Sequence, residues 1–96
     1  MVERSNLRVG ILGTGRIGRL HAELLARQVP GVRLTYVHDA HAAAAREVAD
    51  RLGAVAAPTP DALIAAVDAV AICTPTETHA DLIVAAARAG RAIFCE

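Results

Sequence analysis

Arg8-Val9-Gly10-Ile11-Leu12-Gly13-Thr14-Gly15-Arg16-Ile17-Gly18 is a short apolar run that breaks into three glycines spaced G-x-G-x-x-G. Val9, Ile11 and Leu12 suit a strand buried on both faces. Beyond the glycines, Ile17, Leu20, Leu24 and Leu25 recur at helical spacing, with Arg19, Glu23 and Arg27 on the other side, until Pro30 and Gly31 end the pattern. Between such a strand and helix each glycine acquires a purpose. Gly13 permits the tight turn, Gly15 lets a pyrophosphate approach bare backbone, and Gly18 lets helix and strand pack closely. The amides of Arg16 and Ile17 would then point at phosphate oxygens, with the positive end of the helix dipole behind them. Alone the string is a weak signal, because glycines also serve as ordinary loop residues.

Working outward, the same alternation repeats. Val32 to His38 is β-branched and aromatic, a second strand ending at Asp39. Ala42 to Leu52 follows as a helix: Ala45, Val48, Ala49 and Leu52 share a face, Arg46, Glu47, Asp50 and Arg51 solvate the other, and Gly53 caps it. Ala54 to Ala57 makes a short third strand. Thr59 then Pro60 reads as an N-cap and first helical residue of a brief helix through about Ala66. Asp68 to Cys73 is a fourth buried strand halted by Thr74 and Pro75, a very apolar helix spans about Thr78 to Ala89, and Ala92 to Cys95 is a fifth strand. The pattern predicts an α/β fold, a Rossmann-type parallel sheet in strand order 3-2-1-4-5 with helices on both faces. Ligands of such sheets bind beyond the carboxyl ends of the strands where the winding reverses, here between strands one and four.

Composition narrows the function classes. At 96 residues the chain holds one domain, and 54% hydrophobic against 21% charged residues excludes a disordered chain. Net charge is +0, so no basic field draws nucleic acid or a membrane surface. All ten positive charges are arginine, which removes lysine Schiff bases and P-loop lysines from these residues. Tyr36 and Phe94 are the only aromatics, too few for a stacking platform. Cys73 and Cys95 lack disulfide-framework or metal-ligand spacing, as do His21, His38 and His41, so no metal is expected. The two cysteines read as buried thiols of a reducing compartment, and the chain as cytoplasmic, with no apolar run of membrane-spanning length.

Two further places carry candidate chemistry. Asp39 lies 21 positions beyond Gly18, the spacing of an acid that accepts both adenosine ribose hydroxyls and repels a 2′-phosphate. NAD is therefore expected over NADP, although Arg16 and Arg46 are each able to neutralise a 2′-phosphate. An acid there also stabilises the N-terminus of the following helix, and the two roles are compatible. At the end of strand four, Pro75 stiffens the crossing on the nicotinamide side, while Thr74 and Thr76 offer hydroxyls for ribose or phosphate. His79, near a helix start, serves the same site or serves packing and capping.

Gly10 to Gly18 with His21, Asp39, Val67-Asp68-Ala69-Val70, Cys73-Thr74-Pro75-Thr76 through His79, and Ala89-Gly90-Arg91 up to Phe94-Cys95-Glu96 resemble the glucose-fructose oxidoreductase and inositol dehydrogenase family. The resemblance covers essentially the whole chain, and the Gly15 to His21 stretch is most like that family's inositol 2-dehydrogenases. It implies a two-domain nicotinamide-dependent oxidoreductase acting on polyols or sugars. The family's fifth strand typically ends in Glu-Lys-Pro, the glutamate near the nicotinamide ribose and the lysine near the reacting hydroxyl. Glu96 matches the glutamate; the lysine, the downstream aspartate and histidine and the sheet-rich substrate domain lie beyond these residues.

The expectation is a dinucleotide-binding domain over residues 1–96, incomplete at its C-terminal end, that positions cofactor through Gly13, Thr14, Gly15, Arg16, Ile17, Gly18, Asp39, Thr74, Pro75, Thr76, His79 and Glu96. It contains no catalytic residue and turns over no polyol alone. Two other classes fit the residues less fully: a non-catalytic NAD(H)-sensing module, and another Rossmann-like enzyme such as a methyltransferase. Homo-oligomers are expected, with the apolar fifth strand as a sheet edge that another copy can pair with.

Overall fold

The five apolar segments pair side by side as one parallel sheet in a computed structural model that describes residues 7–95. The order along the chain is β1 (Leu7–Leu12), α1 (Arg16–Arg27), β2 (Val32–His38), α2 (Ala42–Leu52), β3 (Val55–Ala56), α3 (Pro60–Ala66), β4 (Ala69–Ile72), a 3-10 turn (Thr76–Thr78), α4 (His79–Arg88) and β5 (Ala92–Cys95). Across the sheet the strands run β3-β2-β1-β4-β5. The winding starts at β1, goes outward to β3, then returns to β4 on the other flank. Strands three and four are shorter than the expected Ala54–Ala57 and Asp68–Cys73, although the Ala57, Asp68 and Cys73 amides still donate to the Val37, Arg8 and Leu12 carbonyls of the neighbouring strands.

Alternation along β1 divides the core. Ile11 faces α1 and α2 and packs with Ala22, Leu34, Val37, Ala45, Val48, Ala49 and Ala71. Leu12 faces the opposite way, onto Leu63, Ile64, Val67, Val70, Ile72 and Ala86 beneath α3 and α4. A side chain of this size fully withdrawn from water contributes roughly 1.5–3 kcal/mol. Sequence and local chemistry agree at the caps. The Thr59 hydroxyl accepts from the Ala62 amide at 3.0 Å with Pro60 beside it, and Gly53 ends α2 at φ 75°.

One expectation fails on α1. Gly18 and Ala22 are its buried residues and Leu25 packs partly onto the core, whereas Ile17, Leu20 and Leu24 are 43%, 55% and 37% exposed. The helix lies so near the sheet at Gly18 that small residues must face inward. The larger apolar residues occupy the neighbouring stripe, one residue out of phase. Polar ties complete the frame: the Arg8 side chain grips the Asp68 carboxylate through Nε at 3.2 Å and Nη2 at 3.0 Å, and Arg91 donates to the Ile64 and Ala65 carbonyls at the end of α3. Among the described residues no helix is long and apolar enough to cross a membrane.

Candidate functional site

The carboxyl ends of β1, β2 and β4 meet around the glycine turn. The Gly13 amide donates to the His38 carbonyl and the Cys73 amide to the Leu12 carbonyl, both at 2.8 Å, so the turn is fastened on both sides at the point where the winding reverses. Gly13 has φ +98°, and a Cβ there would lie 2.7 Å from the Cys73 carbonyl oxygen. A Cβ on Gly18 would stand 1.9 Å from the Gly13 carbonyl oxygen, which is the close helix-to-turn approach that a third glycine serves. Gly15 differs: it is exposed, extended in conformation, and a Cβ there would meet nothing within 4 Å. The open space above it is the approach a phosphate group needs. No side chain caps α1 and no acid stands in its first turn, so the amides of Arg16 and Ile17 begin the helix at this opening.

Thr14 is the single buried polar residue among those described, at 2% exposure. Its amide and hydroxyl both donate to Oδ2 of Asp39, at 2.7 and 2.9 Å. Oδ1 accepts the His41 amide at 2.8 Å, and His41 caps α2, so Asp39 serves the helix start and the glycine turn together. Burial pushes the Asp39 carboxyl up, but hydrogen bonds from the His41 and Thr14 amides and the Thr14 hydroxyl outweigh it and hold the group below the ordinary carboxylate range. The Thr14 carbonyl in turn accepts Arg19 Nε at 3.0 Å, and Arg19 pairs with Glu47 of α2 at 2.8 Å. The Thr14 link was absent from the sequence reading. A threonine between two glycines, 25 residues before an acid on the neighbouring strand, signals it only once strand order is known.

After β4 the chain folds into a small hydrogen-bonded knot. Thr78 Oγ1 donates to the Pro75 carbonyl at 2.6 Å, which leaves Thr74 Oγ1 to donate to Thr78 at 2.6 Å. Thr74 is half-buried, while Pro75 and Thr76 are exposed. His79 Nε2 meets the Thr74 carbonyl at 2.7 Å and Nδ1 meets Cys95 Sγ at 3.1 Å, so both ring nitrogens are engaged. Both cysteines are thiols, but Cys95 is exposed and Cys73 half-buried, against the expectation that both are buried, because β5 is the edge of the sheet. Glu96 lies outside the described residues.

An apolar groove of about 380 Å³ lies elsewhere, lined by His21, Leu24 and Leu25 of α1 with Val9, Ala71 and Phe94 of the sheet. It extends to Leu7, Val32, Ala69 and Ala92, the first residues of four strands, and so opens toward the amino ends. Sheets of this winding bind ligands at the opposite, carboxyl end.

A parallel sheet with a glycine turn at its switch point and an acid pinned at the end of the second strand is a dinucleotide-binding fold of Rossmann type. Residues 7–96 match the oxidoreductase family with an NAD-binding Rossmann fold, GFO/IDH/MocA, and the chain belongs to it. The inositol 2-dehydrogenase of Rhizobium meliloti (strain 1021) is 52% identical over 92 residues, which span 94% of this chain and 27% of that protein. The UDP-N-acetylglucosamine 3-dehydrogenase of Acidithiobacillus ferrooxidans is 44% identical over 88% of this chain and 26% of its own length. The crystal structure of scyllo-inositol dehydrogenase from Lactobacillus casei with bound NAD(H) and scyllo-inositol superposes with a TM-score of 0.89 at 28% identity, covering 95% of this chain and 28% of that one. The chain thus spans little more than a quarter of the relatives it matches.

Proposed function

We propose that residues 1–96 are the dinucleotide-binding part of an oxidoreductase that passes a hydride between an inositol-like polyol or sugar hydroxyl and NAD. The bound nicotinamide would supply the hydride acceptor; this chain's residues supply its placement. Gly13, Gly15 and Gly18 with the Arg16 and Ile17 amides take the pyrophosphate, Asp39 the adenosine ribose, and Thr74, Pro75, Thr76 and Glu96 the nicotinamide side. Thr14 and His79 act by holding Asp39 and the Thr74 turn. The observation that carries the reading is the Asp39 carboxylate, 17% exposed and fixed beside the open backbone at Gly15. A carboxylate has about four acceptor directions. Three are used by Thr14 and the His41 amide, and the exposed His41 ring stands 3.4 Å from Oδ1, so a ribose hydroxyl would take that direction in place of the ring, beside a negative charge where a 2′-phosphate would sit.

Calorimetric titration of the chain with NAD and NADP at one salt concentration tests this. NAD binds more tightly, and Asp39→Ala narrows the difference; tighter NADP binding overturns it. Polyol turnover would need a proton acceptor outside these residues, which the family resemblance implies is a lysine following the glutamate.

A further inference from the structure

Cys95 and His79 form a pair beside the Thr74 turn. Cys95 is the register partner of Ile72, so its thiol sits at the same carboxyl edge of the sheet as the Thr74 turn. His79 opens α4 and is half-buried. Its Nε2 lies 2.7 Å from the Thr74 carbonyl oxygen, which only accepts, so Nε2 carries the ring proton. Nδ1 of the neutral ring is then an acceptor, and the Cys95 thiol donates to it across 3.1 Å. A nucleophile within hydrogen-bond reach of a base, with the base's tautomer set by a third group, is the general arrangement of an assisted nucleophile. The thiol is exposed, so a reagent can reach it, while its base is anchored through the backbone of a proline-stiffened turn.

We propose that Cys95 is a covalent modification site for soft carbon electrophiles of the α-haloacetyl and α,β-unsaturated carbonyl classes, with His79 Nδ1 as proton acceptor. With a haloacetamide, sulfur bonds to the methylene carbon, the halide leaves with the electron pair of the carbon–halogen bond, and the thiol proton passes to Nδ1. With an enone, sulfur bonds to the β-carbon and the proton is returned to the α-carbon, a net addition with nothing lost.

Cys73 provides an internal comparison. It is half-buried, and its Cβ stands 3.5 Å from where a Gly18 Cβ would lie. Because the chain has no lysine, trypsin cuts at Arg88 and Arg91 and puts the two cysteines on different peptides. The test is the rate of iodoacetamide labelling of each peptide, followed by mass spectrometry, in the wild-type chain and in His79→Gln shown to be folded by circular dichroism. Positioned bases contribute roughly 10²–10⁴-fold, so Cys95 is expected to label at least about tenfold faster in wild type than in His79→Gln, and faster than Cys73. Equal Cys95 rates in the two folded proteins overturn the proposal. If the variant does not fold, the native wild-type rate is set against that of the same cysteine in guanidinium at equal pH. Faster labelling in the native chain supports the assisted thiol, and labelling no faster than in the denatured chain refutes it.

Discussion

Thr14 and Asp39, on neighbouring strand ends, are joined through one oxygen: the amide and the hydroxyl of Thr14 both donate to Oδ2, leaving Oδ1 to the His41 amide. The pairing couples the shape of the glycine turn to the orientation of the acid proposed to take the adenosine ribose. Thr14→Val keeps the volume and removes the hydroxyl donor beside a carboxylate. A hydrogen bond to a charged group is worth about 1.5–3 kcal/mol, so the variant is expected to lose stability in that range and to bind NAD more weakly. Thr14→Ser restores both. Thermal unfolding and calorimetry of the three proteins decide it; an unchanged Thr14→Val would show that the link orients nothing.

The three glycines are separable by substitution. Gly18→Ala places a methyl 1.9 Å from a backbone oxygen, so the turn must open; a loss of about 3 kcal/mol or more is expected, as for overpacked sites. Gly15→Ala adds its methyl to empty space at an extended φ of −71°, where removing a glycine stabilises by about 0.4–1 kcal/mol through the unfolded chain. Folding is therefore expected to survive at Gly15 while dinucleotide binding falls, because the methyl occupies the proposed phosphate approach. Chemical denaturation with parallel NAD titration separates the two, and undiminished binding by folded Gly15→Ala would remove the phosphate from this spot.

Asp39 also sets a pH dependence. Its carboxyl is held below the ordinary value of about 3.9 in the folded chain, so the unfolded state binds the proton first as pH falls. The stabilisation is complete above the unfolded value and is lost as pH drops through the lower, folded one. Asp68 and Glu23 are lowered by their arginine partners too, Asp68 by hydrogen bonds from Arg8 and Glu23 by Arg51; both acids are half-buried, in ion pairs that Asp39→Asn leaves in place. The difference in urea stability between wild type and Asp39→Asn isolates the Asp39 part. It is expected to shrink from pH 6 toward pH 3, and a difference constant across that range would contradict the shift.

Strand order and the two-sided core were readable because turn residues and short apolar runs alternate, and a right-handed crossover leaves few arrangements of five parallel strands. Gly13 and Gly18 were legible for the same reason: each answers a local steric demand. What escaped reading required distance in sequence to become contact in space. Thr14 to Asp39 crosses two strands, and His79 to Cys95 spans α4 and the edge strand. The inward stripe of α1 was misplaced because periodicity weighs large side chains, while the sheet here is met by Gly18 and Ala22.

Edge position and apolar surface meet at Phe94. Among the described residues β5 pairs only with β4, at the end of the sheet order, and Phe94 is 52% exposed, its ring edge-on to His21 at 5.5 Å. It borders the apolar groove with Leu24, Leu25 and Ala71, so unpaired backbone groups and unmatched apolar surface lie side by side. An edge of this kind, with no lysine or proline within the strand, is a template for another chain. The 96-residue chain is therefore expected to form dimers or larger species at tens of micromolar, and Phe94→Lys to shift it toward monomer by placing a charge on the exposed edge. Sedimentation velocity across a concentration series reads this directly. A wild-type chain that stays monomeric and soluble at those concentrations refutes the edge argument, and association unchanged by Phe94→Lys moves it to another surface, such as the exposed stripe of Ile17, Leu20 and Leu24 on α1.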